Sequence, residues 1–92
     1  MSKTIETILT ERGARYGVFV GHAEVTQHLK AYYRDQLAQR GKVLAADQYE
    51  ALDMMMHKIG RIVNGDPDYD DSWIDIAGYA QLVGDRLRGM VR

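Results

Sequence analysis

A single proline, Pro67, interrupts a chain of 92 residues, and on both sides of it apolar side chains recur every three or four positions. That period belongs to helices, since a half-buried strand alternates every two residues. The fold expected is therefore all-α, a small bundle of three or four helices. Its last two helices should form an antiparallel hairpin around the turn at about residues 64–71.

The first helix is expected over about residues 2–11, with Ser2 as its cap and Ile5, Ile8 and Leu9 on one face. Residues 12–21 carry Gly13, Gly17 and Gly21, a density of glycine that costs helix stability, so this stretch reads mostly as loop. Its apolar members Tyr16, Val18, Phe19 and Val20 should tack it onto the body. A second helix follows over about residues 22–39, with Val25, Leu29, Tyr32 and Gln36/Leu37 inward and Gly41 ending it. The third, about residues 46–63, is the most periodic: Tyr49, Leu52, Met56, Ile59 and Val63 step by three and four. Asp47 suits its N-terminus and Gly65 lies just past its end. Met54, Met55 and Met56 make more than one of its sides apolar, which suits contact with a second chain. The fourth, about residues 73–90, has Trp73, Ile76, Ala80, Val83 and Leu87 as its main stripe. Ala77, Gly78 and Gly84 form a second side small enough for close approach by another helix.

This length allows one domain, residues 1–92, and a domain so small gains from a partner subunit, so a homo-oligomer is expected. Without cysteine there is no disulfide or thiolate zinc site. The first residues lack the apolar core of a signal peptide, and no apolar run approaches the roughly 20 residues of a membrane span, so a cytoplasmic location is expected. A net charge of -1 gives no general drive toward nucleic acid.

Chemistry concentrates where the third helix meets the fourth. A basic helix end (His57, Lys58, Arg61) runs into the turn Asn64-Gly65-Asp66-Pro67, and Asp68, Asp70, Asp71 and Asp75 follow. On the third helix Glu50, Asp53, His57 and Arg61 share one stripe. Glu50 and Asp53, one turn apart, offer hard oxygens to a divalent cation; the alternative is a solvated face held by pairs four residues apart. Asp75 lies on a mixed face and needs a metal, a cation such as Lys58 or Arg61, or backbone donors. Ser72-x-x-Asp75 also fits a capping box. Asp66-Pro67-Asp68-Tyr69-Asp70 has the opening spacing of a calcium loop, but Asp71 and Ala77 stand where such a loop needs glycine and glutamate. His22, His28 and His57 have no mutual ligand spacing, and His28 reads as a partly packed structural residue. The three spaced glycines beside Arg12 and Arg15 could line a phosphate.

Four segments together resemble a group of small uncharacterised proteins of tailed bacteriophages and prophages, classed as a domain of unknown function. They are Glu11–Gly17, Gly21-His22-Ala23-Glu24, His57-Lys58-Ile59-Gly60-Arg61 and Asp71–Tyr79. Tyr16 and Tyr79 fall within them and complete the expected site. The chain is also distantly similar to the MazG-like all-α nucleoside triphosphate pyrophosphohydrolases, which hold magnesium on E-E-x-x-E and E-x-x-D motifs and act as oligomers. That similarity implies Mg²⁺ on Glu50, Asp53, Asp71 and Asp75, phosphate on Lys58 and Arg61, and His57 or a carboxylate as base. Ser72 stands in place of the glutamate of the second motif, and the first lacks its double glutamate.

Two functions follow as expectations. One is a non-enzymatic phage accessory protein that binds a host protein or a small nucleotide, with Lys58, Arg61, Asp71 and Asp75 as an ion-pair network across the hairpin. The other is a MazG-like, metal-dependent pyrophosphohydrolase.

Overall fold

A computed structural model describes residues 4–92, which form four helices and no strand. They are α1 (Ile5–Tyr16), α2 (Phe19–Gln39), α3 (Ala46–Asn64) and α4 (Asp71–Leu87). The expected all-α fold and C-terminal hairpin are both present. Helix α3 starts where its period begins, with Gln48 Oε1 accepting from the Ala45 N–H at 2.9 Å, and it stops at Gly65. Helix α1 is capped by Thr4, whose hydroxyl oxygen accepts from the Thr7 N–H at 3.1 Å. Ser2, the expected cap, lies outside the described residues.

Residues 12–21 are mainly helix, not loop. Helix α1 continues through Gly13 to Tyr16, and α2 has already begun at Phe19. Only Gly17, at φ 78°, and Val18 separate them. The carbonyls freed where a helix ends need donors, and α3 supplies them. Asn64 Nδ2 donates to Tyr16 O and Val18 O, both at 2.9 Å, and the Asp66 N–H donates to Arg15 O at 2.8 Å. This clip offsets the glycine cost and fixes the elbow against the end of α3. Val18, Phe19 and Val20 are not tacked down: all three are exposed.

The clip demands glycine. A Cβ on Gly65 would lie 2.3 Å from Arg15 O and 2.4 Å from Tyr16 Cα. One on Gly60 would lie 2.3 Å from Thr26 Oγ1.

Helix α3 runs antiparallel between α2 and α4, which do not touch each other. On the α2 side, His22 and Thr26 pack against Gly60, and Tyr33 Oη and Arg34 donate to Asp53. On the α4 side, Ala51 is buried, Lys58 Nζ meets Asp75 Oδ2 at 2.9 Å, and Arg86 grips Asp47 through two bonds of 2.8 and 2.6 Å. Trp73 Nε1 donates to Pro67 O at 2.9 Å and braces the hairpin corner.

The arrangement is a layer more than a ball. Among the described residues Ala51 is the one buried apolar side chain; the others buried with it are His22, Thr26, Lys58, Ser72 and Asp85, apart from glycine. The radius of gyration is 15.4 Å, whereas a compact chain of this length has about 12 Å.

The expected stripes shift accordingly. On α2, Tyr32 is exposed and Tyr33 turns inward. On α3, Val63 is exposed, and the three methionines are half-buried. On α4, Ile76 and Val83 are half-buried but Trp73, Ala80 and Leu87 face out, because α3 covers one side only. Ser72 is not the cap of α4: it is buried inside the first turn, which begins at Asp71, and no side chain caps that end.

The Lys58–Asp75 pair sits in the α3–α4 seam, with side chains 11% and 37% exposed. Asp75→Ala strands the ammonium of Lys58. The expected loss is about 2 kcal/mol in urea melts, below the cost of breaking a fully buried pair because water still reaches Asp75. Lys58→Met combined with Asp75→Leu should recover most of it. An unchanged Asp75→Ala midpoint would show that the pair does not contribute.

Candidate functional site

The expected site residues fall into separate places. Asp53 belongs to the α2–α3 seam, where burial would raise its pKa but the bonds from Tyr33 and Arg34 hold it below the usual carboxylate range. The same burial, reinforced by Asp53, pushes the Tyr33 hydroxyl up to about 12. Asp75 is committed to Lys58. Asp71 accepts from Tyr16 Oη at 3.5 Å. Glu50 and Tyr79 lie at the far end of the hairpin, around a shallow cavity of about 270 Å³ beside the Asp47–Arg86 pair. Among the described residues no group of three or more histidine, cysteine, aspartate or glutamate side chains is arranged to hold a metal ion. The donor set assigned to Mg²⁺ thus does not fit one cation as placed.

What the fold does gather lies at the elbow between α1 and α2. His57 and Arg61, one turn apart on α3, face Tyr16, Phe19 and His22 across a cavity of about 560 Å³, and Arg12 stands at its edge. Tyr16 and Arg61 of its wall belong to a stack of rings and cations that continues behind the cavity. Arg15 lies 4.3 Å from the Tyr69 ring centre, Tyr69 and Tyr16 are 6.2 Å apart, and Arg61 lies 4.1 Å from the Tyr16 ring. Each cation sits within the distance at which a ring's electron-rich face attracts it. Burial raises the pKa of Tyr16, with Arg61 opposing.

The histidines form the floor. His22 Nε2 and His57 Nδ1 are 3.3 Å apart, with the rings edge to face. Burial pushes His57 down to about 4, helped by the charge of Arg61 and by His22, and burial also lowers His22. Both rings are therefore neutral at pH 7, and one N–H lies between them. His22 Nδ1 is buried and faces the Gly60 backbone without reaching full hydrogen-bond geometry. The tautomer that leaves least unsatisfied puts a proton on that atom. His57 Nδ1 is then the donor to His22, and His57 Nε2 is left as an acceptor.

His22 is a site residue that no spacing in the sequence marked. The available signal was Gly60: a glycine inside the most periodic helix implies a close neighbour, and that neighbour is the His22–Thr26 face of α2. His28, by contrast, is exposed rather than packed, and its Nδ1 bonds Glu24 O at 2.7 Å. A second unmarked residue is Asp85, which is 2% exposed. It is held by Gln81 and Arg88 at 2.9 and 2.8 Å, with Arg92 at 3.0 Å. Asp66 does not open a calcium loop: its Oδ1 accepts from the Asp68 N–H at 3.0 Å and shapes the turn.

Fold and site together define a small all-α protein with a ligand-sized cavity at a helix elbow. The chain belongs to the DUF6378 family, a domain of unknown function, whose model matches residues 1–87. No curated protein and no solved structure matches it. No helix among the described residues is long and apolar enough to cross a membrane.

Proposed function

We propose that this chain is a non-enzymatic binding protein that takes a small nucleotide in the elbow cavity. The observation that carries this reading is the convergence of Arg12 and Arg61, the neutral His22–His57 pair and the exposed Phe19 ring on one cavity. Its volume of about 560 Å³ falls in the range of small-molecule sites, roughly 300–1,000 Å³. Guanidinium groups suit phosphate oxygens through paired N–H bonds, and a ring at the rim offers a stacking face to a base. His57 Nε2 adds one acceptor for a base or sugar donor. The setting that the sequence resemblance suggests is a phage or prophage accessory protein in the cytoplasm of its bacterial host.

The pyrophosphohydrolase alternative needs Glu50, Asp53, Asp71 and Asp75 to share a cation. Asp53, Asp71 and Asp75 each stand with a different partner and Glu50 lines a separate cavity, which favours binding without turnover.

Titration calorimetry with nucleoside mono-, di- and triphosphates tests it, with and without a chelator. Binding is expected to survive chelation and to weaken about tenfold or more in Arg61→Gln, the loss of a charge-assisted contact. Phosphate and pyrophosphate release should stay at background. Folded protein that binds none of these nucleotides would reject the proposal, and Mg²⁺-dependent release would replace it with the hydrolase.

A further inference from the structure

We infer that two copies of this chain pair through the outer face of α4, antiparallel and with a two-fold axis at Ala80. The starting observation is that one edge of the apolar stripe of α4 stays exposed, although Trp73 Nε1 bonds Pro67 O and Ala80 lines the crevice between α3 and α4. Trp73, Ala80 and Leu87 recur every seven residues, and all three are exposed, with Trp73 at 55% and Leu87 at 60%. Ala77 and Gly84 lie between them on the same face. A Cβ on Gly84 would meet only the Arg88 guanidinium, at 3.7 Å, and one on Gly78 would meet nothing. Glycine inside a helix costs up to about 1 kcal/mol relative to alanine, and no helix of this chain comes close enough to need that space.

The stripe is self-complementary, as a two-fold interface requires. With Ala80 on the axis, Trp73 of one copy meets Leu87 of the other, seven residues out in opposite directions. The small residues then fall at the centre, where the two backbones are closest. Ile76 and Val83, half-buried against α3, flank the same seam.

Charge selects the direction and favours a second copy over an unrelated partner. Helix α4 is entered through the exposed Asp68 and Asp70 and left through Arg88 and Arg92, which share one buried carboxylate, Asp85, and keep 65% and 57% of their side chains exposed. Antiparallel pairing lays the acidic entry of each copy beside the basic exit of the other, whereas parallel pairing sets like charges together. Like-charge juxtaposition across an interface is strongly unfavourable. The thin core gives the second reason. With a radius of gyration of 15.4 Å and Ala51 as the one buried apolar side chain among the described residues, the layer gains a second wall when a copy covers it.

The natural chain has no cysteine, so single cysteines report the geometry cleanly. Sedimentation of wild type across the micromolar range should show a dimer. Ala80→Cys should cross-link to itself under mild oxidation, because a disulfide needs Cα atoms within about 7 Å. Trp73→Cys alone should not, but mixed with Leu87→Cys it should give the mixed dimer. Ala80→Glu should weaken association by about a hundredfold or more through like charge at the axis, with helicity followed by circular dichroism. If Ala80→Glu fails to fold, the cysteine pairs decide. A wild-type monomer at high micromolar concentration would overturn the inference and leave the face to a different protein. So would a dimer in which Ala80→Cys does not cross-link.

Discussion

Gly65→Ala is expected to destabilise the fold by about 3 kcal/mol, the upper end of the usual cost of forcing atoms into a packed seam. The added methyl would lie 2.3–2.5 Å from Arg15 O and from the Cα and C of Tyr16. These are backbone atoms, so no rotamer change relieves the overlap. The clip itself must open, and with it go the bonds that Asp66 and Asn64 give to the elbow carbonyls. Gly13→Ala is the matched control. It lies inside α1 with nothing within 4 Å of its Cβ position, and alanine there should stabilise by about 0.5–1 kcal/mol. Urea midpoints of the two variants should move in opposite directions. A Gly65→Ala midpoint equal to wild type would mean that elbow and hairpin are not joined this way.

Acidification is expected to remove about 1–2 kcal/mol of stability between pH 6.5 and 4, less than the full shift at His57 corresponds to because water reaches the ring and screens it. The unfolded imidazole takes a proton near its ordinary 6.5, while the folded one resists until about 4. Stability is therefore complete above pH 6.5, falls as pH drops through that window and levels off below it. His22 is lowered as well and adds a loss of the same sign. Arg61, Lys58 and Lys30 surround the pair with positive charge and disfavour a second cation. Carboxylates contribute little to this window, since the lowered groups Asp47 and Asp53 stay ionised down to pH values below 3.8. His57→Gln should flatten the profile between pH 6.5 and 4 while leaving the decline at lower pH. A wild-type profile already flat there would contradict the neutral pair.

Much of this architecture was legible in the sequence, and the exceptions share a cause. Helix α3 was readable almost to the residue because Tyr49, Leu52, Met56 and Ile59 keep a steady period between Asp47 and Gly65. For Asp75 the sequence offered a metal, Lys58 or Arg61, or backbone donors, and the structure pairs it with Lys58. The elbow did not follow, because the glycines at 13, 17 and 21 look alike in sequence and differ in surroundings. Gly13 faces open space, while Gly17 and Gly21 sit against Asn64, more than forty residues away in the chain. The stripe of α4 was found but its partner was not, since periodicity shows that a face is apolar without showing what covers it. The His22–His57 contact needed α2 and α3 to be docked first, as the two rings lie 35 positions apart. The metal set illustrates the converse. Glu50 and Asp53 share a helix face, yet Asp53 is drawn aside by Tyr33 and Arg34.

The order of the helices across the layer also governs how the molecule comes apart. Because α2 and α4 never touch, α4 can peel away by losing its seam with α3 and the Tyr16–Asp71 contact while the elbow stays clipped to α3. Local opening of this kind has a lower free energy than global unfolding. Amide protons of α4 should then exchange with solvent through openings that leave those of α2 and α3 protected, and a cover over the outer face of α4 would close that route.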